Sequence, residues 1–295
     1  MREREVIKLL AQKMEIGDDC SVIPFKSTHL LLTTDMLHKK TDFPEGLNAY
    51  TIGWRAAAVS LSDIAAMGGR PLALTLALGA PQFERAMCAE IRDGLIDCAQ
   101  LFEIKHFGGD LDQHDELTVV SSALGEAVKP VLRSGARVGD LVCVTGELGR
   151  SAAALVLFGA KNSEAANDLA RFTPRIVEGL ALAPFATSMM DISDGLARSL
   201  YQMADASRVG FKIDGGQLPF SVEAEELAHT QEELLEMCVH TGEDFELLFT
   251  LAPESLMEAR RACEFVVIGQ VTKNAIELKL GTELIELPDR GYEHG

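Results

Sequence analysis

Short β-like runs alternate with longer helical ones along this chain. The opening MREREVIKLLAQKMEIG reads as a charged amphipathic helix, and HLLLTTD (29–35) as a strand that ends in an acid. Residues 48–67 are Ala-rich and helical, stopped by Gly68-Gly69 with Pro71 close behind. PLALTLALG (71–79) predicts a buried strand and residues 83–102 an amphipathic helix. KHFGGD (105–110) and LTVVSSALGEAV (117–128) predict strands joined by a polar loop. The segment KPVLRSGARVGD (129–140), rich in Pro, Gly and basic residues, breaks the pattern and sets an expected domain boundary near 128–130. Beyond it come a strand LVCVTG, a helix RSAAALVLFG, a helix led by Pro174 and the segment DISDGLARSLYQMADAS (191–207). A strand GFKID, one long helix over 221–241 and strands at DFELLFTLAP, FVVIGQV and IELKLG complete the pattern. The expected class is α+β, with domains over 1–128 and 129–295.

Composition narrows the function. The 295 residues carry a net charge of −18, which disfavours binding to a phosphate backbone and suits a protein that gathers cations. Six scattered cysteines without a C-x-x-C pair, five of them in apolar segments, predict a reducing compartment and neither a disulfide framework nor a zinc ribbon. No apolar run approaches the ~18–20 residues of a membrane span, and the N-terminus shows no secretory pattern. A soluble cytoplasmic protein is expected.

The acids sit at strand and helix ends beside small residues: Asp18-Asp19, Thr33-Thr34-Asp35, Asp63, Asp110, Asp191 and Asp194, Glu243-Asp244. Asp63 is the clearest case. Its helical neighbours Val59, Ser60, Ala66 and Met67 predict packed surroundings, and no Lys or Arg lies within seven residues before it or six after. A buried carboxylate needs a basic partner or a metal, and a cation is the economical reading. Taken singly, Asp194 could cap a helix, and Asp19 or Asp35 could end a strand. Magnesium takes oxygen ligands from few carboxylates plus substrate phosphates, so single acids spread over many segments would suit a multi-metal phosphate site. Gly146-Glu-Leu-Gly149 could cradle a phosphate or form only a tight βα turn. His38, His106, His114, His240 and His294 share no metal-ligand spacing, and no nucleophilic dyad is apparent.

Together IGDDC (16–20), TTDML (33–37), LSDIAAMGGRPL (61–72), GGD (108–110), RSGARVGDLVCVTG (133–146), DISDGL (191–196) and GEDFELLF (242–249) resemble the thiamine-monophosphate kinase family. Its parent superfamily is that of aminoimidazole-ribonucleotide synthetase. The resemblance runs from about residue 15 to the GYEH near the end. It implies a two-domain α+β fold, with a β-rich N-terminal domain that dimerises and a C-terminal α/β domain that completes the ATP site. It also implies Mg²⁺-dependent transfer of the ATP γ-phosphoryl group to thiamine monophosphate, in a homodimer using several magnesium ions. By motif match, Asp19, Thr33, Thr34, Asp35, Asp63, Asp110, Asp191 and Asp194 fall on magnesium positions. Gly109, Asp110, Arg133 and Ser193 fall on ATP positions, and Glu243 and Tyr292 on substrate positions.

The chain departs from the family pattern in three places. Asp42 stands where a substrate-contacting His is common, with His38 displaced upstream. Arg92 stands where a Tyr often flanks the adenine, and Ser60 replaces the Asn of an N-L-S-D run. Arg92 and Asp42 therefore enter as an ATP and a substrate position respectively. The physical reading agrees with the resemblance. Two anionic phosphates must be neutralised before they meet, and an oxyanion nucleophile needs no general base. Arg133 can hold a phosphate bidentately, and Tyr292 can offer its ring to a flat cation. The alternatives are another ATP-using synthetase of the superfamily, acting on a ribonucleotide or selenide, or a nucleotide-binding protein without catalysis.

Overall fold

In the computed structural model, residues 3–14 and 16–293 are described. Glu15 and the ends of the predicted N-terminal helix and of the GYEHG tail, His294 included, lie outside them. Among the described residues two sheets form. The first combines β1 (Ser21–Phe25), β2 (Thr28–His38), β3 (Arg70–Ala80), β4 (His106–Gln113) and β5 (Thr118–Ala127) in the order β1-β2-β5-β3-β4. Its pairings are antiparallel except β3 with β4. Helices α2 (Ala49–Ala66) and α3 (Arg85–Gln100) cover one face of it; α1 (Glu3–Leu10) precedes the sheet. Strand alternation decides which side chains face α2: Leu31, Thr33 and Leu37 are buried, while Leu32, Thr34 and Met36 are exposed on the other face.

Helix α2 is apolar nearly all round, the mark of a helix buried on several sides. Asn48 caps it by accepting the Thr51 N–H at 2.7 Å. It crosses α3 at very short range, because a Cβ at Gly53 would lie 1.9 Å from the Ile91 carbonyl oxygen and one at Gly94 1.9 Å from that of Tyr50. Its other side packs on the second half of the chain, so Leu61, Ile64 and Ala65 share a core with Ile176, Met189 and Phe249.

The second half holds β6 (Leu141–Val144), α4 (Arg150–Gly159), α5 (Ser163–Ala170), α6 (Ile176–Leu182), β7 (Ala186–Asp191), α7 (Leu196–Ser207) and β8 (Gly210–Asp214). They are followed by α8 (Val222–Leu227), α9 (Gln231–Leu235), β9 (Leu247–Leu251), α10 (Leu256–Ala262), β10 (Val266–Thr272), β11 (Ile276–Leu280) and β12 (Glu283–Glu286). The sheet order is β12-β11-β8-β10-β6-β9-β7. Its two faces lie in different cores: Cys143, Phe249 and Met189 face α2, whereas Val142, Leu248 and Met190 face α4 and α7.

The mixed α+β class matches expectation, with local differences. The long helix expected over 221–241 is two helices and a π-helical turn at Glu236–His240, because Thr230 caps a new start by accepting the Glu233 N–H. The segment 186–191 is a strand, and β1, α5, α10 and β12 were not read from the pattern. Strand β1 is exposed at every position, so its burial leaves no alternation to read. Among the described residues no helix is long and apolar enough to cross a membrane, and all six cysteines are free.

Candidate active site

Two periodicities meet to build the centre. On β2, Thr33 and Asp35 point to the same face because the strand repeats every two residues; on α2, Ser60 and Asp63 share a face because they are three apart. Thr33 Oγ1 therefore donates to Asp63, and Ser60 Oγ donates to Asp35 Oδ2 at 2.7 Å. Ser60 also contacts Ser121 Oγ at 2.7 Å, from the residue of β5 in register with Asp35. Ser62, on the flank of α2 that faces the second sheet, donates to Asp191 Oδ2 at 2.6 Å. Asp19 enters from the loop before β1. One carboxylate oxygen from each of Asp19, Asp63 and Asp191 lies within 4.8 Å of the others. Three carboxylates at this spacing have the donor chemistry of a hard divalent cation site. Asp35 sits mid-strand rather than at a turn, so its strand-ending reading does not hold.

Arg133 is the guanidinium in contact with this group. Nε and Nη2 donate to the two oxygens of Asp19 at 3.2 and 2.8 Å, and Nη1 to Gln202 Oε1 at 3.0 Å. Its backbone N–H donates to Asp18 at 2.6 Å. Burial opposes the charge on Arg133, but Asp19 and the acids behind it outweigh burial and hold it still more firmly protonated. The acids shift the other way. Burial, followed by the charges of Asp35, Asp191 and Asp19, pushes Asp63 well above the carboxylate range. Burial and then Asp19 push Asp191 up to about 8, and burial raises Asp35 despite the Ser60 hydrogen bond. Burial and the Asp63 charge push the nearby Cys20 thiol up, so it is no nucleophile.

A pocket opens beside this centre, lined among others by Asp42, Arg55, Thr241, Glu243 and Tyr292. The three residues expected to contact substrate, Asp42, Glu243 and Tyr292, come together there from distant parts of the chain. The backbone of the DISD segment joins pocket and acid cluster. Ser193 O accepts the Glu243 N–H at 2.6 Å and Asp194 O accepts the Tyr292 N–H at 3.1 Å, while Asp191 of the same segment is in the cluster. Gly242 permits this approach, since a Cβ there would lie 2.2 Å from Ser193 O. Asp42 Oδ2 accepts from His38 N and Thr41 Oγ1, both at 2.8 Å.

Other expected positions lie outside the three-carboxylate group. Gly109 and Asp110 are exposed on the edge strand β4, and Arg92 is exposed on α3 with its guanidinium on Asp93 at 2.6 Å. Thr34 is on the outer face of β2, where its hydroxyl donates to Ser121 O at 3.0 Å. Asp194 does not cap α7, whose N-cap is Gly195. The Gly146–Gly149 turn takes its plain βα reading: the N–H groups of Gly149 and Ser151 that open α4 donate to Asp244 at 2.8 and 3.2 Å. Asp244 belongs to the acid set read from the sequence, whereas Glu246, bound to Arg175 and Thr145, and Arg55 carry no motif of their own. Arg55 carried a signal nonetheless, as a lone charge inside the apolar run WRAAAV.

Comparisons with known proteins converge on one family. The AIR synthase related protein N-terminal domain matches residues 17–127 and the AIR synthase related protein C-terminal domain residues 137–280. The chain is 44% identical to a thiamine-monophosphate kinase of Halobacterium salinarum over the full length of both. It is 34% identical to one of Escherichia coli K12, across 96% of this chain and 92% of the relative. The solved structure of AaThiL complexed with AMPPCP and TMP superposes with a TM-score of 0.89 at 27% identity, covering 100% of this chain and 97% of that one. A hydrogenase maturation protein, HypE of E. coli, shares the fold alone at 17% identity and a TM-score of 0.72, over 88% of this chain and 86% of HypE. Full-length identity and both domain matches agree, so this chain belongs to the thiamine-monophosphate kinase family within the AIR synthase related proteins.

Proposed function

We propose that this protein phosphorylates thiamine monophosphate to thiamine diphosphate by direct in-line transfer from ATP, with ADP as co-product and Mg²⁺ required. The observation that carries the proposal is the shared DISD segment, which gives Asp191 to the acid cluster and its backbone to Glu243 and Tyr292 of the pocket. Binding of an ATP analogue and TMP together in the related AaThiL structure supports the choice of substrates. Asp19, Asp63 and Asp191 would hold magnesium, with Thr33, Thr34, Asp35 and Asp194 as the nearby expected positions. Bound there, the ion supplies positive charge that offsets the phosphates of donor and acceptor.

This chain's own residues do the rest by positioning. Thr33, Ser62 and Arg133 fix the oxygens of Asp63, Asp191 and Asp19 by hydrogen bonds. Arg133 and Ser193 are assigned to ATP, and Asp42, Glu243 and Tyr292 to the acceptor. Gly109, Asp110 and Arg92 stay in the ATP assignment, and Asp110 in the magnesium assignment, on their motif positions alone. Arg55 and Asp63 lie on one helix, eight residues and so about 12 Å apart, which leaves room for an elongated acceptor with its phosphate toward the acids. In the transfer, an acceptor phosphate oxygen forms a bond to the γ-phosphorus as the bond to the β–γ bridging oxygen breaks. ADP keeps that electron pair, and no side chain needs to remove a proton.

The assignment includes the domain division at 128/129, action in the cytoplasm and a homodimer. The exposed apolar residues Leu32, Met36, Phe107 and Leu111 on strands of the first sheet support the dimer. The test is ³¹P NMR of the protein with Mg·ATP and thiamine monophosphate. Diphosphate resonances of thiamine with equal ADP are expected. ADP with orthophosphate alone would favour a synthetase of the superfamily, and no ADP at all a binding protein.

A further inference from the structure

We propose that Arg55 is a positioning residue that aims Glu243 into the pocket and thereby makes the site select acceptors carrying a hydrogen-bond donor, an exocyclic amine above all, on the ring end. The proposal rests on the thiamine-monophosphate kinase reading given above.

Arg55 is only 3% exposed, although it carries a charge inside an otherwise apolar helix. Its Nη2 donates to Glu243 Oε1 at 2.6 Å and its Nη1 to the Ala170 carbonyl at 3.3 Å, so two arms of one planar fork are engaged. The guanidinium lies 6.0 Å from the centre of the Phe172 ring, which stacks on Phe245 at 4.2 Å and 10°. These contacts leave the Arg55 side chain little freedom to turn.

Glu243 is held from its backbone as well. It and Phe245 adopt left-handed φ values of 69° and 51°, a costly conformation for residues with side chains. The N–H of Glu243 donates to Ser193 O at 2.6 Å and that of Phe245 to Ile192 O at 2.9 Å. Main chain and one carboxylate oxygen are thus both tied down, while the Glu243 side chain remains 34% exposed and lines the pocket with Asp42, Thr241 and Tyr292.

The chemistry follows from the pairing. A carboxylate held by a guanidinium is an acceptor only, so whatever meets its pocket-facing side must donate. A ring amine satisfies it; a carbonyl in the same place would set two acceptors against each other and leave a partly buried carboxylate unpaired. The aminopyrimidine of thiamine monophosphate fits this demand, and its 4-oxo counterpart puts an acceptor at the position of the amine.

Arg55 also staples α2 to the second half of the chain, since Ala170 and Glu243 both belong there. The two roles separate by experiment. Wild type, Arg55→Met and Arg55→Lys would be assayed at saturating Mg·ATP with thiamine monophosphate and with its 4-oxo analogue, and binding of both acceptors would be measured by calorimetry without nucleotide. Wild type should favour the amino acceptor by about tenfold or more in kcat/KM and in affinity. Arg55→Met should raise the thiamine monophosphate KM about tenfold and bring the preference close to parity, with the ATP KM unchanged; Arg55→Lys should fall between. Should Arg55→Met fail to fold, a preference in Arg55→Lys equal to that of wild type would overturn the proposal. It is likewise overturned if Arg55→Met keeps the full preference and loses only stability or kcat. Amine-selective binding that depends on Arg55, without any phosphoryl transfer, would sink the kinase reading and sustain this one.

Discussion

Asp19, Asp63 and Asp191 crowd together where β2, α2 and β7 meet, and the guanidinium in contact with the group, Arg133, serves Asp19. Around the GED loop a second set of acids, Asp244 and Glu246 buried and Glu243 half-buried, is balanced one by one. Glu243 has Arg55, Glu246 has Arg175 and the Thr145 hydroxyl, and Asp244 has the two N–H groups that open α4. The chain completes the second region from its own residues. In the first, Asp63 and Asp191 take hydroxyl hydrogen bonds from Thr33 and Ser62 and face each other and Asp19 at close range, the donor set a divalent cation would complete. The difference separates a scaffold that shapes a pocket from the centre proposed above to gather cations.

The strongest way to break that contrast is Asp63→Asn. It should lower kcat by about a thousandfold, an effect of the size lost with a key electrostatic group. Steady-state rates with Mg·ATP would check this, and a rate near wild type would remove Asp63 from the centre. Next comes Arg133→Ala, expected to raise the ATP KM about tenfold with little change in the thiamine monophosphate KM. Equal effects on both substrates would assign Arg133 to holding Asp19 alone.

Stability sharpens the same contrast through opposite signs. In the presence of a chelator, Asp63→Asn should raise the unfolding temperature, because it relieves repulsion among carboxylates. Glu246→Gln should lower it by about 2–4 °C or more, because it strips Arg175 of its charged partner. Thermal unfolding of both variants reads the two signs directly, and a shared sign would erase the distinction between the regions.

A pH-dependent effect concerns Asp244. Burial pushes it up to about 7 despite its two N–H donors. Its folded value thus lies above the ordinary carboxylate value of 3.8, so the folded state holds the proton more tightly than the unfolded one. This group therefore subtracts stability as pH rises from about 4 to 7 and adds no further loss above that. Asp244→Asn does not titrate. The unfolding temperature of the variant minus that of wild type should climb between pH 5 and 7 and then level off; a flat difference would contradict the assignment.

Much of the acid centre could be read along the chain because each acid sits in a short, distinctive run: GDD, TTD, LSD, DISD. What could not be read were partners from afar. A scan for basic residues near Asp63 in sequence misses Arg133, which reaches Asp19 across 114 positions, and hides Arg55, whose partner Glu243 is 188 positions away. Asp35 looked like a strand end because TTDML continues the strand with residues that carry no turn signal and no clear alternation. The GELG turn leaves a phosphate cradle and a plain βα turn both open in sequence, because Asp244, which takes its N–H groups, lies 95 positions later. Helix 221–241 misled for a local reason, since the cap at Thr230 competes with an otherwise continuous helical pattern.

The central claim is that the unbalanced acids form the cation centre. It is tested most directly by growing crystals with Mn²⁺ in place of Mg²⁺ and a non-hydrolysable ATP analogue, and recording anomalous diffraction. The account predicts a strong anomalous peak bounded by carboxylate oxygens of Asp19, Asp63 and Asp191. Peaks confined to other parts of the molecule, with none among those three side chains, would contradict it.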